Sequence, residues 1–199
     1  YGAVETNISY ETWLLTHQPF HWLAEFYEII NEYGGFDVII GNPPYVSKSK
    51  ITYLSNVAFK CSDLYGYVIK RVLQLLCPLG THAFIVMHNL AFSRNFIEVR
   101  KLLNKIQGTL WCSFYSRIPS GLFSGDVRVR NCIYILFPGG KERYTSSLHR
   151  WFSEQRATLF TANIKYNRFI YNNEVIPMLD SEIIQSVYEN KKGVNISLL

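Results

Sequence analysis

Apolar positions fall into blocks with two different periods along the chain. Over residues 19–33 they recur at helical spacing, with Trp22, Phe26, Ile29 and Ile30 on one face, and Gly34-Gly35 close the block. Residues 36–40 form a short apolar run, β-branched and without alternation, the pattern of a parallel strand covered on both faces. A polar, irregular stretch follows over 46–62. Asp63 then stands as N-cap of a predicted helix reaching about residue 77, with Val68, Val72 and Leu75 on a common face and Pro78-Leu79-Gly80 at its end. A second apolar strand is predicted over 82–88. Ser93 opens a helix over 94–106, with Phe96, Val99 and Leu103 inward, and Gly108 stops it. A third strand over 109–115, a loop over 120–125 and a fourth strand over 130–137 follow, closed by Pro138-Gly139-Gly140.

Alternating strands and helices predict an α/β fold with parallel strands joined by crossovers. No helical pattern separates the last two strands, so they are expected to pair antiparallel. The expected architecture is a partial doubly wound, Rossmann-like sheet of four strands, mostly parallel with an antiparallel last pair. It places Asn42 at the carboxyl end of the first strand, on the same sheet edge as residue 88. Residues 143–173 are aromatic and mixed without a clear period, and 180–189 read as a short amphipathic helix. A boundary is therefore expected near 140, with one unit over 1–140 and the start of another over 141–199.

Composition narrows the class. The chain has 199 residues, 48% hydrophobic and 18% charged, which fits a globular protein and excludes a disordered one. A formal net charge of +5 suits a polyanionic partner, and equally a surface of dispersed solvated charge. Cys61, Cys77, Cys112 and Cys132 stand in apolar stretches without C-x-x-C spacing, as buried free thiols of a reducing, cytoplasmic setting would. His17 and His21 have the i, i+4 spacing of helical metal ligands, but Pro19 between them starts the helix later, so no metal site is expected. No apolar run reaches membrane-spanning length. The first residue, Tyr1, and the apolar end at Leu198-Leu199 suggest a piece cut from a longer polypeptide.

Candidate chemistry concentrates in Asn42-Pro43-Pro44-Tyr45, directly after the first strand. One reading is a tight turn, which Asn-Pro and Pro-Pro dipeptides mark. The other follows from position, since ligands of open α/β sheets sit just past the carboxyl ends of strands. A rigid turn there presents the Asn42 side chain and nearby carbonyls as fixed acceptors, and the Tyr45 ring as a stacking face. That pair suits a planar group with an amino donor, such as adenine. An aromatic amine is a poor nucleophile because its lone pair is delocalised. Two acceptors at tetrahedral angles draw the nitrogen towards sp³ and localise the pair for in-line attack on an electrophilic methyl group, by preorganised dipoles. A duplex base must flip out to reach such a pocket, and stacking offsets part of that cost. Lys48, Lys50, Arg117, Arg128 and Arg130 lie in loops or strand ends near this cleft, as candidate phosphate contacts or as scattered solvated charges.

These residues resemble the amino-methyltransferases of bacterial restriction–modification systems, above all the large bifunctional type that joins nuclease and adenine-N6 methyltransferase. The resemblance spans nearly the whole chain. It rests on "PFHWLAEF" (19–26) followed by "GFDVIIGNPPYV", on "DLYGYVIKRVLQLLCPLGTHAFIV" (63–86) and on "LHRWFSEQRATLF" (148–160). It implies that Asn42 and the Pro43 carbonyl accept the target amine's hydrogens, Pro44 holds the turn, and Tyr45 stacks on the base. Phe123 is implied as a second base contact, with loop packing as the alternative. Asp63 and Tyr65 resemble a motif at the cofactor edge, with a helix cap and a packing ring as the alternative. The implied methyl donor is S-adenosylmethionine, and the implied partner is double-stranded DNA, with a nuclease domain on the same parent polypeptide. The family's glycine-rich cofactor turn is not among the 41 residues before Asn42, and no G-x-G-x-x-G or P-loop pattern occurs. The expectation is thus a target-base half, inactive as it stands. A protein-glutamine methyltransferase, which presents the same tetrapeptide to a planar amide, and a non-catalytic DNA-binding remnant are the competing readings.

Overall fold

The computed structural model describes residues 9–18, 21–51, 58–123, 129–161, 164–170 and 174–180. Its centre is a six-stranded sheet in the order β1-β2-β4-β3-β5-β6. The strands are β1 Phe36–Gly41, β2 Leu76–Met87, β3 Thr109–Tyr115, β4 Asn131–Phe137, β5 Arg143–His149 and β6 Asn167–Arg168. β1 runs parallel to β2, and β3 parallel to β5. β4 lies antiparallel between β2 and β3, and β6 antiparallel to β5. Four of the six strands therefore run one way, and the expected antiparallel pairing of the third and fourth strands is present.

Side-chain alternation distributes the strands over two cores. On one face Phe84, Val86, Leu110, Cys112, Phe114, Cys132, Tyr134 and Leu136 pack under two helices, α4 Leu64–Leu75 and α5 Ile97–Lys105. On the other, Tyr115, Leu122, Trp151 and Leu159 form a smaller cluster with Ile85 and Ile133 against it. Helix α4 buries Tyr65, Gly66, Tyr67, Ile69 and Val72. It comes close to its lead-in segment at Gly66, where a Cβ would collide with the Cys61 sulfur. Helix α5 buries Val99, Leu103 and Arg100. The Arg100 guanidinium, 1% exposed, donates to the carbonyls of Leu90 and Ser93, both at 2.8 Å. It thereby fastens the chain leaving β2. At the opposite sheet edge the buried Arg143 donates to the carbonyls of Asn104, Ile106 and Gly108, which end α5.

Several expectations need correction. The single helix over 19–33 is interrupted. After α1 (Tyr10–His17) come two short pieces, α2 Trp22–Glu25 and α3 Tyr27–Asn31, separated where Phe26 leaves helical geometry. α3 has no buried residue to hold it in line. β2 begins at Leu76 and not at 82, because the register shift between Phe36 and Val38 makes room for Pro78-Leu79-Gly80 within the strand. β1 is not covered on both faces. Among the described residues no strand pairs with its outer side, and Val38 and Ile40 are 59% and 72% exposed. The aperiodic stretch after residue 140 supplies β5 and β6, so the sheet crosses the point where the sequence pattern changes. Residues 174–180 pack back onto this sheet, with Ile176 N–H donating to the Ala91 carbonyl at 2.7 Å and Thr145 Oγ1 to the Pro177 carbonyl at 2.6 Å. The amphipathic helix expected over 180–189 lies outside the described residues beyond Asp180.

Candidate active site

β1 and β2 are parallel, with Gly41 opposite Phe84, so Asn42 leaves the sheet on the same edge as His88, as the pattern requires. Gly41 faces the Phe84 ring, and a Cβ there would stand 3.3 Å from it. The next residues alternate in environment. Asn42 is exposed, Pro43 buried, Pro44 exposed and Tyr45 half-buried. No described residue hydrogen-bonds the Asn42 side chain, so its amide oxygen is open as an acceptor. Downstream the backbone is fastened at once. Lys48 N–H donates to the Ser62 carbonyl at 2.7 Å and Leu64 N–H to the Val46 carbonyl at 2.8 Å, around the bridge between Ser47 and Asp63. Two fixed proline φ angles on one side and this clasp on the other hold the turn.

Tyr45 points inward. Its hydroxyl donates to the Ile85 carbonyl at 3.1 Å and accepts from Asn131 Nδ2 at 3.2 Å. Burial pushes its phenol up to about 12, partly offset by the Asn131 bond, so it is neutral throughout the working range. Its ring meets Tyr65 and Phe123 edge-on, at centroid distances of 6.2 and 6.4 Å. Tyr65 lies parallel to Phe96 at 4.7 Å, and its hydroxyl donates to Asn89 Oδ1 at 2.6 Å. The turn therefore packs into a cluster of three aromatic rings contributed by the turn itself, by α4 and by the segment between β3 and β4.

The remaining predicted residues sort as follows. Phe123 packs edge-on against Tyr45 and joins it to the smaller core cluster. Tyr65 is wholly buried and acts as the packing ring. Asp63 occupies the N-cap position of α4, but its side chain makes no capping bond; it accepts instead from the Ser62 hydroxyl at 3.0 Å. Lys48 lies over the Tyr67 ring at 5.7 Å, and Lys50 is exposed beside it. Arg117 follows β3 and Arg130 precedes the antiparallel β4, so both come to the edge that carries Asn42. Burial, then the charges of Arg130 and Arg117, pull the neighbouring His88 imidazole down to about 4. Arg128 lies outside the described residues. Among the described residues no group of three or more His, Cys, Asp or Glu is placed to hold a metal ion.

Sequence reasoning missed Asn131, Asn89 and His88. Asn131 left one readable trace, a polar amide opening an otherwise apolar strand. The other two gain their roles only from the meeting of strand ends.

A profile of the Eco57I restriction-modification methylase family matches residues 4–115, more than half of the chain. A candidate type II restriction enzyme and methyltransferase of Methanocaldococcus jannaschii is 35% identical over 123 residues, which is 60% of this chain and 10% of that protein. Among solved structures, the DrdV–DNA complex superposes with a TM-score of 0.54 at 18% identity, over 73% of this chain and 18% of that one. A nuclease-deletion mutant of the Type ISP restriction-modification enzyme LlaGI, in complex with a DNA substrate mimic, gives 0.51 at 16% identity, over 81% and 20%. The chain thus spans a small part of each, and the two structures speak for the fold. With the strand-end turn in place and the match running through it, the chain belongs to the Eco57I restriction-modification methylase family.

Proposed function

We propose that this chain is the target-base half of a DNA methyltransferase that modifies adenine N6 within a restriction–modification system. One observation carries the reading. Asn42-Pro43-Pro44-Tyr45 sits at the carboxyl end of a parallel strand, its amide oxygen open and its tyrosine ring gathered with Phe123. Family membership and a fold shared with DrdV, solved in complex with DNA, and LlaGI, solved in complex with a DNA substrate mimic, support it.

A flipped adenine enters beside the Tyr45 ring. Asn42 Oδ1 and the Pro43 carbonyl accept its two amino hydrogens and turn the nitrogen lone pair out of conjugation. With a sulfonium methyl donor bound alongside, the nitrogen would attack the methyl carbon as its carbon–sulfur bond breaks to leave a neutral thioether, and the extra proton on nitrogen would leave to water. S-adenosylmethionine supplies the methyl group in this reading. Of the two residues that resemble a cofactor-edge motif, Tyr65 is wholly buried and Asp63 accepts from the Ser62 hydroxyl. Cofactor binding belongs to a separate half of the methyltransferase. Lys48, Lys50, Arg117 and Arg130 contact DNA phosphates around the opening.

The test is single-turnover methylation of duplex DNA by the methyltransferase polypeptide that carries this half, with labelled cofactor and identification of the product. N6-methyladenine is expected, and Asn42→Ala should slow transfer by about 10² to 10³ with DNA affinity retained. Methylcytosine, a methylated glutamine with DNA untouched, or full activity in Asn42→Ala would overturn the reading.

A further inference from the structure

Asn131 opens β4 at the sheet edge that carries the candidate turn, opposite Met87 of β2 and Tyr115 of β3, and is 1% exposed. Its Nδ2 donates to the Tyr45 hydroxyl, which donates onward to the Ile85 carbonyl. The polarity of this chain is forced. A carbonyl only accepts and a phenol has one proton, so the amide must present its N–H to the phenol oxygen. The Asn131 Oδ1 atom, buried beside it, has no hydrogen-bond partner among the described residues. One bond made and one acceptor orphaned is a losing exchange for stability, because a buried unsatisfied group costs more than a single neutral bond returns. The following residues, Cys132, Ile133 and Tyr134, show what this strand otherwise uses. An apolar side chain at 131 would serve folding better. What the amide does is hold the end of the Tyr45 ring.

We propose that Asn131 is a positioning residue: through the phenol it fixes the Tyr45 ring in the orientation that receives the target base. This rests on reading Tyr45 as the stacking platform. The ring is then tethered at both ends, by the proline-stiffened backbone at Cα and by two strands at its hydroxyl. The anchor comes from residue 131, 86 positions along the chain, so β2 and β4 together set the geometry of a turn that leaves β1. The hydroxyl of Tyr45 is not a passenger on a stacking ring in this arrangement; without it the anchor has nothing to hold.

The experiment uses the methyltransferase polypeptide carrying this half, on a DNA substrate whose methylated base has been mapped. Asn131→Leu, Tyr45→Phe, their double variant and Tyr45→Ala are compared for melting temperature, DNA affinity and single-turnover methylation rate. Asn131→Leu is expected to melt at or above wild type and to keep its DNA affinity, while the rate falls about tenfold from misplacement of the ring. Tyr45→Phe should lose a similar factor, and the double variant should be no slower than the worse single, because both remove one link. A wild-type rate in Asn131→Leu beside a strong loss in Tyr45→Ala overturns the positioning role and leaves the stacking role intact. So do losses that multiply in the double variant. A wild-type rate in Tyr45→Ala removes the stacking reading itself. If Asn131→Leu is not recovered folded, Asn131→Ala takes its place; if neither folds, the amide is structural and the proposal falls.

Discussion

His82 offers a pH test with a sign and a size. Its ring is wholly buried in β2 between Phe84 and Tyr134, and neither ring nitrogen has a hydrogen-bond partner among the described residues. Burial alone pulls its pKa from the ordinary 6.5 down to about 4. The group is thus neutral in the fold, where the unfolded chain already binds a proton below about 6.5. Stability is lost as pH falls from 6.5 towards 4, because there the unfolded state holds more protons. At pH 5 an unfolded imidazole is almost fully charged and the buried one about one-tenth charged, a difference of about 2 kcal/mol relative to pH 8. His82→Phe removes the titrating group and keeps an aromatic ring against Phe84 and Tyr134. Urea unfolding of both proteins at pH 8 and pH 5 isolates the effect, since all other groups, the half-buried His88 included, are common to the pair. The acid loss of the wild type should exceed that of His82→Phe by about 2 kcal/mol, at unchanged denaturant slope. Equal acid losses would refute the argument, and a larger loss in the variant would reverse its sign.

Two further outcomes follow from described contacts. Arg100→Met removes the charged donor from the Leu90 and Ser93 carbonyls, of which Ser93 keeps the bond from Phe96 N–H; the loss of two charged bonds, partly offset by no longer burying a cation, should cost about 2 kcal/mol, a fall of about 4–8 °C in melting temperature. Unchanged melting would show that the strand-end segment does not depend on it. Alanine at Lys48, Lys50, Arg117 or Arg130 should weaken DNA binding irrespective of sequence and flatten the salt dependence by about one unit of slope each. Slopes equal to wild type would assign those side chains to the solvated surface.

The regular part of the sheet was legible because its signals are local. The apolar runs of β1, β3 and β4, the helical apolar spacing between them and the glycines that end them lie within a few residues of the elements they define. The Asn42–Tyr45 turn was legible for the same reason, being a rigid tetrapeptide at a strand end. What escaped depends on contacts distant in sequence. β5 is polar enough, with Thr145, Ser146 and Ser147, to look like loop, and its pairing with β3 buries Thr145 and Ser146, where Ser146 Oγ accepts from Phe114 N–H at 3.2 Å. β1 read as covered on both faces because apolar composition records which faces demand cover, whereas exposure depends on which partners are at hand. Asp63 has the residue type and position of a cap, but the neighbouring Ser62 hydroxyl engages its carboxylate. Asn131 could be seen as an odd letter; its partner 86 residues earlier could not.

The antiparallel placement of β4 beside β3 has an evolutionary consequence. Tyr115 faces Asn131 across the pair, so everything between them is a single hairpin loop whose two stems are zipped shut at the sheet edge. That loop holds Phe123 and Arg117, with Arg130 at its return. Lengthening such a loop costs little, about 0.6 kcal/mol for each doubling of its length, and leaves every strand register as it was. Descendants can therefore change the loop around its packed Leu122 while Asn131, locked into β4, keeps its grip on Tyr45. On the proposed reading, the loop side chains that meet substrate are replaceable, and the contact that orients Tyr45 is inherited with the sheet.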